Sequence, residues 1–85
     1  MQMNNQYEHV NISSSGNFVI TVKGKINKEL HELLGGLSIV YKADGDYTIS
    51  CLEGEIIDQA ELIGILNTLF NMRYPIISVK AKKIH

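Results

Sequence analysis

The chain has 85 residues, 45% of them apolar and 20% charged, with a formal net charge of −1 at pH 7. A chain of this length builds one domain around one core. The near-neutral charge argues against strong global attraction to nucleic acid or to a membrane surface. No apolar run approaches the roughly 18 residues of a membrane-spanning helix. Cys51 is the only cysteine and no signal-like segment is evident, so we expect a cytoplasmic protein.

The first 36 residues predict one strand and a short helix. Residues 1–17 are polar and are expected to form a tail or an optional edge strand, followed by a single domain over 18–85. Apolar side chains alternate over 18–26, which is typical of a half-buried strand. Asn27 is placed to cap a short helix over 28–34, and Gly35 and Gly36 are placed to end it.

The next segments read as a hairpin. Strands are predicted over 37–42 and 47–53, joined by a tight turn at Asp44 and Gly45. Ile49 and Cys51 alternate with the set expected to face the helices, whereas Leu52 breaks that alternation. A bulge near Cys51 or Leu52 would reconcile the two patterns. We expect Cys51 to be a small buried apolar residue rather than a nucleophile.

A second helix is predicted over 59–72. Asp58 is placed to cap it, and Glu61 completes a capping box. Apolar residues at helical spacing predict the face that packs on the sheet; they are Leu62, Ile65, Leu66 and Leu69. Pro75 follows the helix, and alternation over 76–82 predicts the last strand.

This β-α-β-β-α-β order predicts an α+β, ferredoxin-like two-layer sandwich. The expected fold is a four-stranded antiparallel sheet with two helices on one face. Right-handed crossovers place the first and third strands in the centre and the fourth beside the first.

The side of the second helix that faces away from the sheet is predicted to contact a partner. It carries small or uncharged residues where a solvated face more often carries charge; they are Ala60, Gly64, Asn67 and Asn71. The residues predicted to contact a partner are Ala60, Gly64 and Asn67, together with Gln59 at the border of the apolar face. Glycine is unfavourable inside a helix. Three explanations of Gly64 stay open: a tolerated surface position, close approach of the first helix, or close approach of a partner subunit.

Five lysines are predicted to share the uncovered face of the sheet and to bind an anionic ligand or partner; they are Lys23, Lys25, Lys42, Lys80 and Lys82. Proteins of this topology that bind RNA stack bases on aromatic residues of that face. Phe18, Tyr41 and Tyr47 are expected on the other face, which makes nucleic acid an unfavoured partner.

Residues 52–80 resemble the C-terminal half of a family of small bacterial proteins without known activity. The shared pattern is Leu-x-Gly-x-hydrophobic-x-Asp-Gln-Ala-x-Leu-x-Gly, then Pro, two apolar residues, Ser and Val; here it begins at Leu52 and ends at Val79. Histidine is common in that family at the position of Ile63, and glycine at that of Arg73. The resemblance implies a bacterial, intracellular protein and no particular chemistry.

The sequence offers no catalytic constellation. The three histidines are far apart and the cysteine is alone, so we expect no metal site and no cofactor. The segment 22–26 is similar to the phosphate-binding turn of acylphosphatases, but the arginine of that turn is missing. We therefore expect a non-enzymatic module that self-associates as a homodimer and binds a protein or ligand. The alternatives are a small enzyme that holds an acyl phosphate-like substrate through Lys23 and Lys25, and a weak nucleic-acid binder.

Overall fold

The computed structural model describes residues 16–82, which form one antiparallel sheet and one α-helix. The prediction of a tail over 1–17 lies outside these residues except for Gly16 and Asn17, which begin the first strand. The elements are β1 (Gly16–Lys23), β2 (Ser38–Asp44), β3 (Tyr47–Ile56), α1 (Gln59–Asn71) and β4 (Ile76–Lys82). The strands lie in the order β2-β3-β1-β4.

The predicted ferredoxin-like fold class is wrong, because residues 16–82 contain one α-helix where two were expected. The strand order itself agrees with the prediction: β1 and β3 are central and β4 lies beside β1. The domain is therefore an α+β fold in which one crossover between parallel strands is helical and the other is not.

The segment predicted as the first helix contains a single 3-10 turn at Lys28–Leu30, followed by further turns. Asn27 caps it as predicted, because its Oδ1 accepts a hydrogen bond of 2.8 Å from the Glu29 amide. Seven residues are too few for a helix to persist without extensive packing. Leu33 is 64% exposed, whereas the adjacent Leu34 is fully buried.

This crossover packs on the same side of the sheet as α1. Gly35 and Gly36 both have positive φ, at 75° and 70°, which glycine adopts without strain. A Cβ on Gly35 would lie 2.9 Å from Cδ1 of Ile65 in α1. On β3, a Cβ on Gly54 would lie 2.8 Å from Cδ2 of Leu37. At Gly35 and Gly54 a side chain would therefore crowd its neighbour.

The core lies between the sheet and these two crossovers. The β1–β3 register places Ile20 opposite Leu52 and Val22 opposite Ser50, so these side chains share one face. We call this the covered face of the sheet, and the opposite side the open face. The core consists of twelve buried apolar residues: Phe18, Ile20, Val22, Ile26, Leu34, Leu37, Leu52, Ile56, Leu62, Ile65, Leu66 and Leu69.

The bulge predicted near Cys51 or Leu52 is absent, because β1 and β3 pair without interruption from Gly16 to Lys23. The irregularity lies instead between β1 and β4, at Thr21 and Val22. Leu52 faces the core, which puts Ile49 and Cys51 on the open face. Cys51 is half-buried there and is not the buried core residue that the sequence predicted.

One buried hydroxyl fastens the start of the first crossover to β3. Oγ of Ser50 accepts a hydrogen bond of 2.9 Å from the Ile26 amide and donates one of 2.6 Å to the Gly24 carbonyl. The Tyr41 hydroxyl donates to the Ile26 carbonyl from β2. These bonds satisfy backbone groups that the crossover would otherwise bury without partners.

Helix α1 begins at the predicted cap, Asp58, and is followed by a residue with a strained backbone. Oδ1 of Asp58 accepts a bond of 2.9 Å from the Glu61 amide, and Oε1 of Glu61 accepts one of 2.7 Å from the Ile57 amide. Past the helix end, Arg73 has a φ of +67°. Residues just past a helix end often adopt this left-handed conformation, which glycine adopts without strain and arginine at a cost of about 1 kcal/mol.

Replacing Ser50 with alanine leaves the Ile26 amide and the Gly24 carbonyl without a partner in the core. We expect Ser50→Ala to lower the free energy of unfolding by about 1–3 kcal/mol, measured by urea denaturation. Ser38→Ala is the control, because Ser38 is exposed and a change there is expected to stay within about 0.5 kcal/mol. Equal effects of the two substitutions would contradict the role of the Ser50 bridge.

Arg73→Gly is expected to raise the free energy of unfolding by about 1 kcal/mol, because glycine adopts the positive φ without steric cost. Arg73→Ala removes the same side chain but keeps a Cβ, and should give little or no gain. Thermal denaturation of the three proteins distinguishes backbone strain from an effect of the arginine side chain. A gain of the same size in the alanine variant would contradict the strain.

Candidate functional site

Four of the five predicted anion-binding lysines lie on the open face. The strand registers put Lys23 of β1, Lys42 of β2, and Lys80 and Lys82 of β4 on this side of the sheet. Lys25 does not join them, because it follows β1 in the loop and its Nζ lies 5.2 Å from the centre of the Tyr41 ring. Tyr41 bonds to the crossover, which places it on the covered face.

The open face is mixed in charge and is not uniformly basic. Glu53 and Glu55 of β3 lie on it opposite Val19 and Asn17 of β1. Lys82 forms an ion pair with Glu53, the one ion pair found among residues 16–82. Carboxylates beside the lysines weaken the attraction of this face for an anion.

Tyr47 also lies on the open face, contrary to the sequence prediction. The β2–β3 register pairs it with Asp44, and Nζ of Lys23 lies 4.4 Å above the centre of its ring. Lys23 and Lys25 thus stack on rings of different faces and do not converge on one point. This geometry gives no support to a substrate held jointly by the two lysines, which stays a prediction.

Lys28 is a further basic residue beside Tyr41 that the sequence analysis did not predict. Lys28 belongs to the 3-10 turn, and its Nζ lies 5.4 Å from the centre of the same Tyr41 ring that Lys25 approaches. Ammonium groups above an aromatic ring are attracted by its electron-rich face. Strand alternation could not predict this position, because Lys28 lies outside the strands and only the folded crossover brings it beside β2.

The residues predicted to contact a partner are all exposed on the side of α1 away from the sheet. We call this set, Gln59, Ala60, Gly64 and Asn67, the outer helix face. A Cβ built on Gly64 meets no atom within 4 Å. The first crossover therefore does not explain this glycine, since the close approach within the chain occurs at Gly35. The explanations left are a tolerated surface position and a partner subunit.

An exposed aromatic residue borders the outer helix face and was missed as a site residue. Phe70 is 74% exposed although it belongs to the last turn of α1. It lines an open depression of about 670 Å³ together with Asn71, Arg73 and Pro75. Helical spacing puts Phe70 beside the apolar face that contains Leu66, so only the folded structure decides that it is exposed.

Residues 16–82 meet neither the requirements of a metal site nor those of a membrane-spanning helix. Across residues 16–82, no group of three or more His, Cys, Asp or Glu side chains is placed to hold a metal ion. His31 is exposed, and the other two histidines lie outside the described residues. No helix of that part of the chain is both long and apolar enough to cross a membrane.

These features define a small α+β domain whose exposed surfaces, rather than a cavity, are the candidates for function. Residues 17–80 match a family described as a domain of unknown function, DUF8691, and the chain belongs to that family. No curated protein and no solved structure matches the chain.

Alanine substitutions at Gly35 and Gly64 are expected to change the free energy of unfolding in opposite directions. Gly35→Ala is expected to lower the free energy of unfolding by more than 1 kcal/mol, because it adds a Cβ at a positive φ and against Ile65. Gly64→Ala should instead raise it by up to about 1 kcal/mol, because alanine favours an exposed helical position with free space around it. Urea denaturation at low protein concentration measures both, and a loss at Gly64 would contradict the open environment.

Proposed function

We propose that the protein is a non-enzymatic cytoplasmic module that associates with a second copy of itself through the outer helix face. The observation that carries this proposal is an exposed helix surface without charge that is bordered by an exposed aromatic residue. Glu61 is the only charged residue in α1, and its carboxylate is engaged with the Ile57 amide. Two copies meeting at this surface bring no like charges together.

The sequence of α1 suits an antiparallel pairing. Ile63 and Phe70 are seven residues apart, or about two turns, so they project from the same flank of the helix. A two-fold axis near Asn67 brings Phe70 of each copy against Ile63 of the other. Gly64 lies on the other flank, where its missing side chain permits close approach of the helix backbones.

The expected dimer is weak and reversible. A helix of 13 residues is about 20 Å long. One pair of such helices buries less area than a standard stable interface. We therefore expect a dissociation constant roughly in the micromolar range, corresponding to about −8 kcal/mol.

Phe70→Lys tests this arrangement. It places a positive charge at the centre of the apolar contact in both copies and is expected to weaken dimerisation at least about tenfold, or about 1.4 kcal/mol. Because Phe70 is exposed, the monomer should unfold at nearly the same denaturant concentration. Light scattering and sedimentation equilibrium from micromolar to millimolar protein measure the effect.

Val40→Lys is the matched control, since Val40 is 51% exposed on the open face and the same charge is added there. It should leave the dimer intact. Gly64→Ala should weaken the dimer while it stabilises the monomer, which no purely structural role of this glycine predicts. A wild-type protein that stays monomeric over the whole range, or equal effects at Phe70 and Val40, would overturn the proposal.

A further inference from the structure

Within residues 16–82, the outer edge of β2 is open for pairing. In this part of the chain β2 lies at the end of the sheet and pairs only with β3, in an uninterrupted register from Ser38 to Asp44. Among the described residues, its backbone makes no hydrogen bond to any turn or loop. The opposite edge, β4, has an irregular register at Ile76 and carries Lys80 and Lys82. Irregularities and lysines are devices that protect an edge strand, and β2 carries only Lys42.

Two lysines and a histidine lie beside this open edge. Lys25 and Lys28 approach the Tyr41 ring, and Lys28 and His31 line a groove of about 400 Å³ beside β2. Ser38 and Ile39 form the β2 side of that groove. Within residues 16–82 neither lysine has a carboxylate at ion-pair distance. Glu29 and Glu32 belong to the same crossover but do not line the groove.

We propose that β2 binds an extended acidic peptide, which adds to the sheet as a fifth strand and directs carboxylates towards Lys25, Lys28 and His31. Backbone hydrogen bonds along an edge strand supply affinity in such complexes, and the side chains beside it supply selectivity. The charge of the groove selects an acidic partner. A second copy of β2 fits this edge less well, since it would bring the same lysines into opposition.

The alternation of β2 specifies the pattern of the peptide. Ile39 and Tyr41 point to the covered face, beside the basic groove, while Val40 points to the open face. A strand added next to β2 alternates in the same way. Acidic residues at every second position therefore meet the lysines, and apolar residues between them lie next to Val40. A bound phosphate or nucleic acid would use the lysines but not the strand edge.

The probe is a capped peptide of alternating Glu and Val, six residues long, titrated into the full chain by calorimetry and by NMR. We expect binding that weakens with added salt, because exposed charge pairs are screened. Chemical-shift changes are expected along 38–44. The same experiment with Phe70→Lys should give the same affinity, so failure of the proposed dimer and failure of peptide binding are distinguishable.

Backbone pairing is tested by N-methylation. Amide groups along a strand point alternately to its two sides. Two versions of the peptide, each methylated at one alternate set, should therefore differ: one loses binding and the other retains it. Equal affinity of the two versions would overturn the strand addition.

The basic group is tested by Lys25→Gln combined with Lys28→Gln, which should weaken binding about tenfold. The control pair, Arg73→Gln with Lys80→Gln, removes the same charge from exposed positions away from the groove and should have little effect. Equal losses in both pairs would overturn the proposal. It would also be overturned by binding of a Lys and Val peptide or by chemical-shift changes along β4 instead of β2. An oligouridine that binds more tightly than the acidic peptide would overturn it as well.

Discussion

The architecture depends on how the first crossover is fastened to the sheet without a helix. The Ser50 hydroxyl accepts from the Ile26 amide and donates to the Gly24 carbonyl inside the core. A segment that crosses a sheet without regular secondary structure buries backbone N–H and C=O groups. Leaving such a group without a partner costs more free energy than an ordinary hydrogen bond contributes to stability. One serine and the Tyr41 hydroxyl together satisfy this requirement, and the chain beyond them is free to bury Leu34 and Leu37.

The glycines of the domain differ in whether its own packing requires them. Gly35 touches α1 and Gly54 receives Leu37, so both are needed for close packing inside the domain. Gly64 faces open space, and nothing in the domain requires it. A helix residue that weakens the isolated domain is consistent with a contact made outside it. This contrast is the reason that the outer helix face, rather than the sheet, supports the proposed self-association.

The same crossover shapes the electrostatics. By carrying Lys25 and Lys28 to Tyr41 it concentrates positive charge at one edge of the sheet. The open face is left with lysines and carboxylates together, as the pair between Lys82 and Glu53 shows. A nearly neutral chain thus acquires a local field at the unprotected strand edge, where a partner's backbone can also pair.

The sequence by itself determined the four strands, their order, the cap of α1 and its buried residues, because each depends on alternation or helical spacing over a few neighbours. It also identified Ala60, Gly64 and Asn67 as exposed residues of α1, since an uncharged outer face is visible in the spacing alone. It did not determine the state of residues 28–34, whose leucines fit a helix equally well. Their conformation depends on packing against residues distant in sequence, since Gly35 lies against Ile65 of α1 and Leu37 lies against Gly54 of β3. Tertiary packing likewise decided that Leu52 rather than Cys51 faces the core, that Phe70 is exposed, and that Lys28 joins Lys25 at Tyr41. Contacts between segments far apart along the chain leave no periodic signal within either segment.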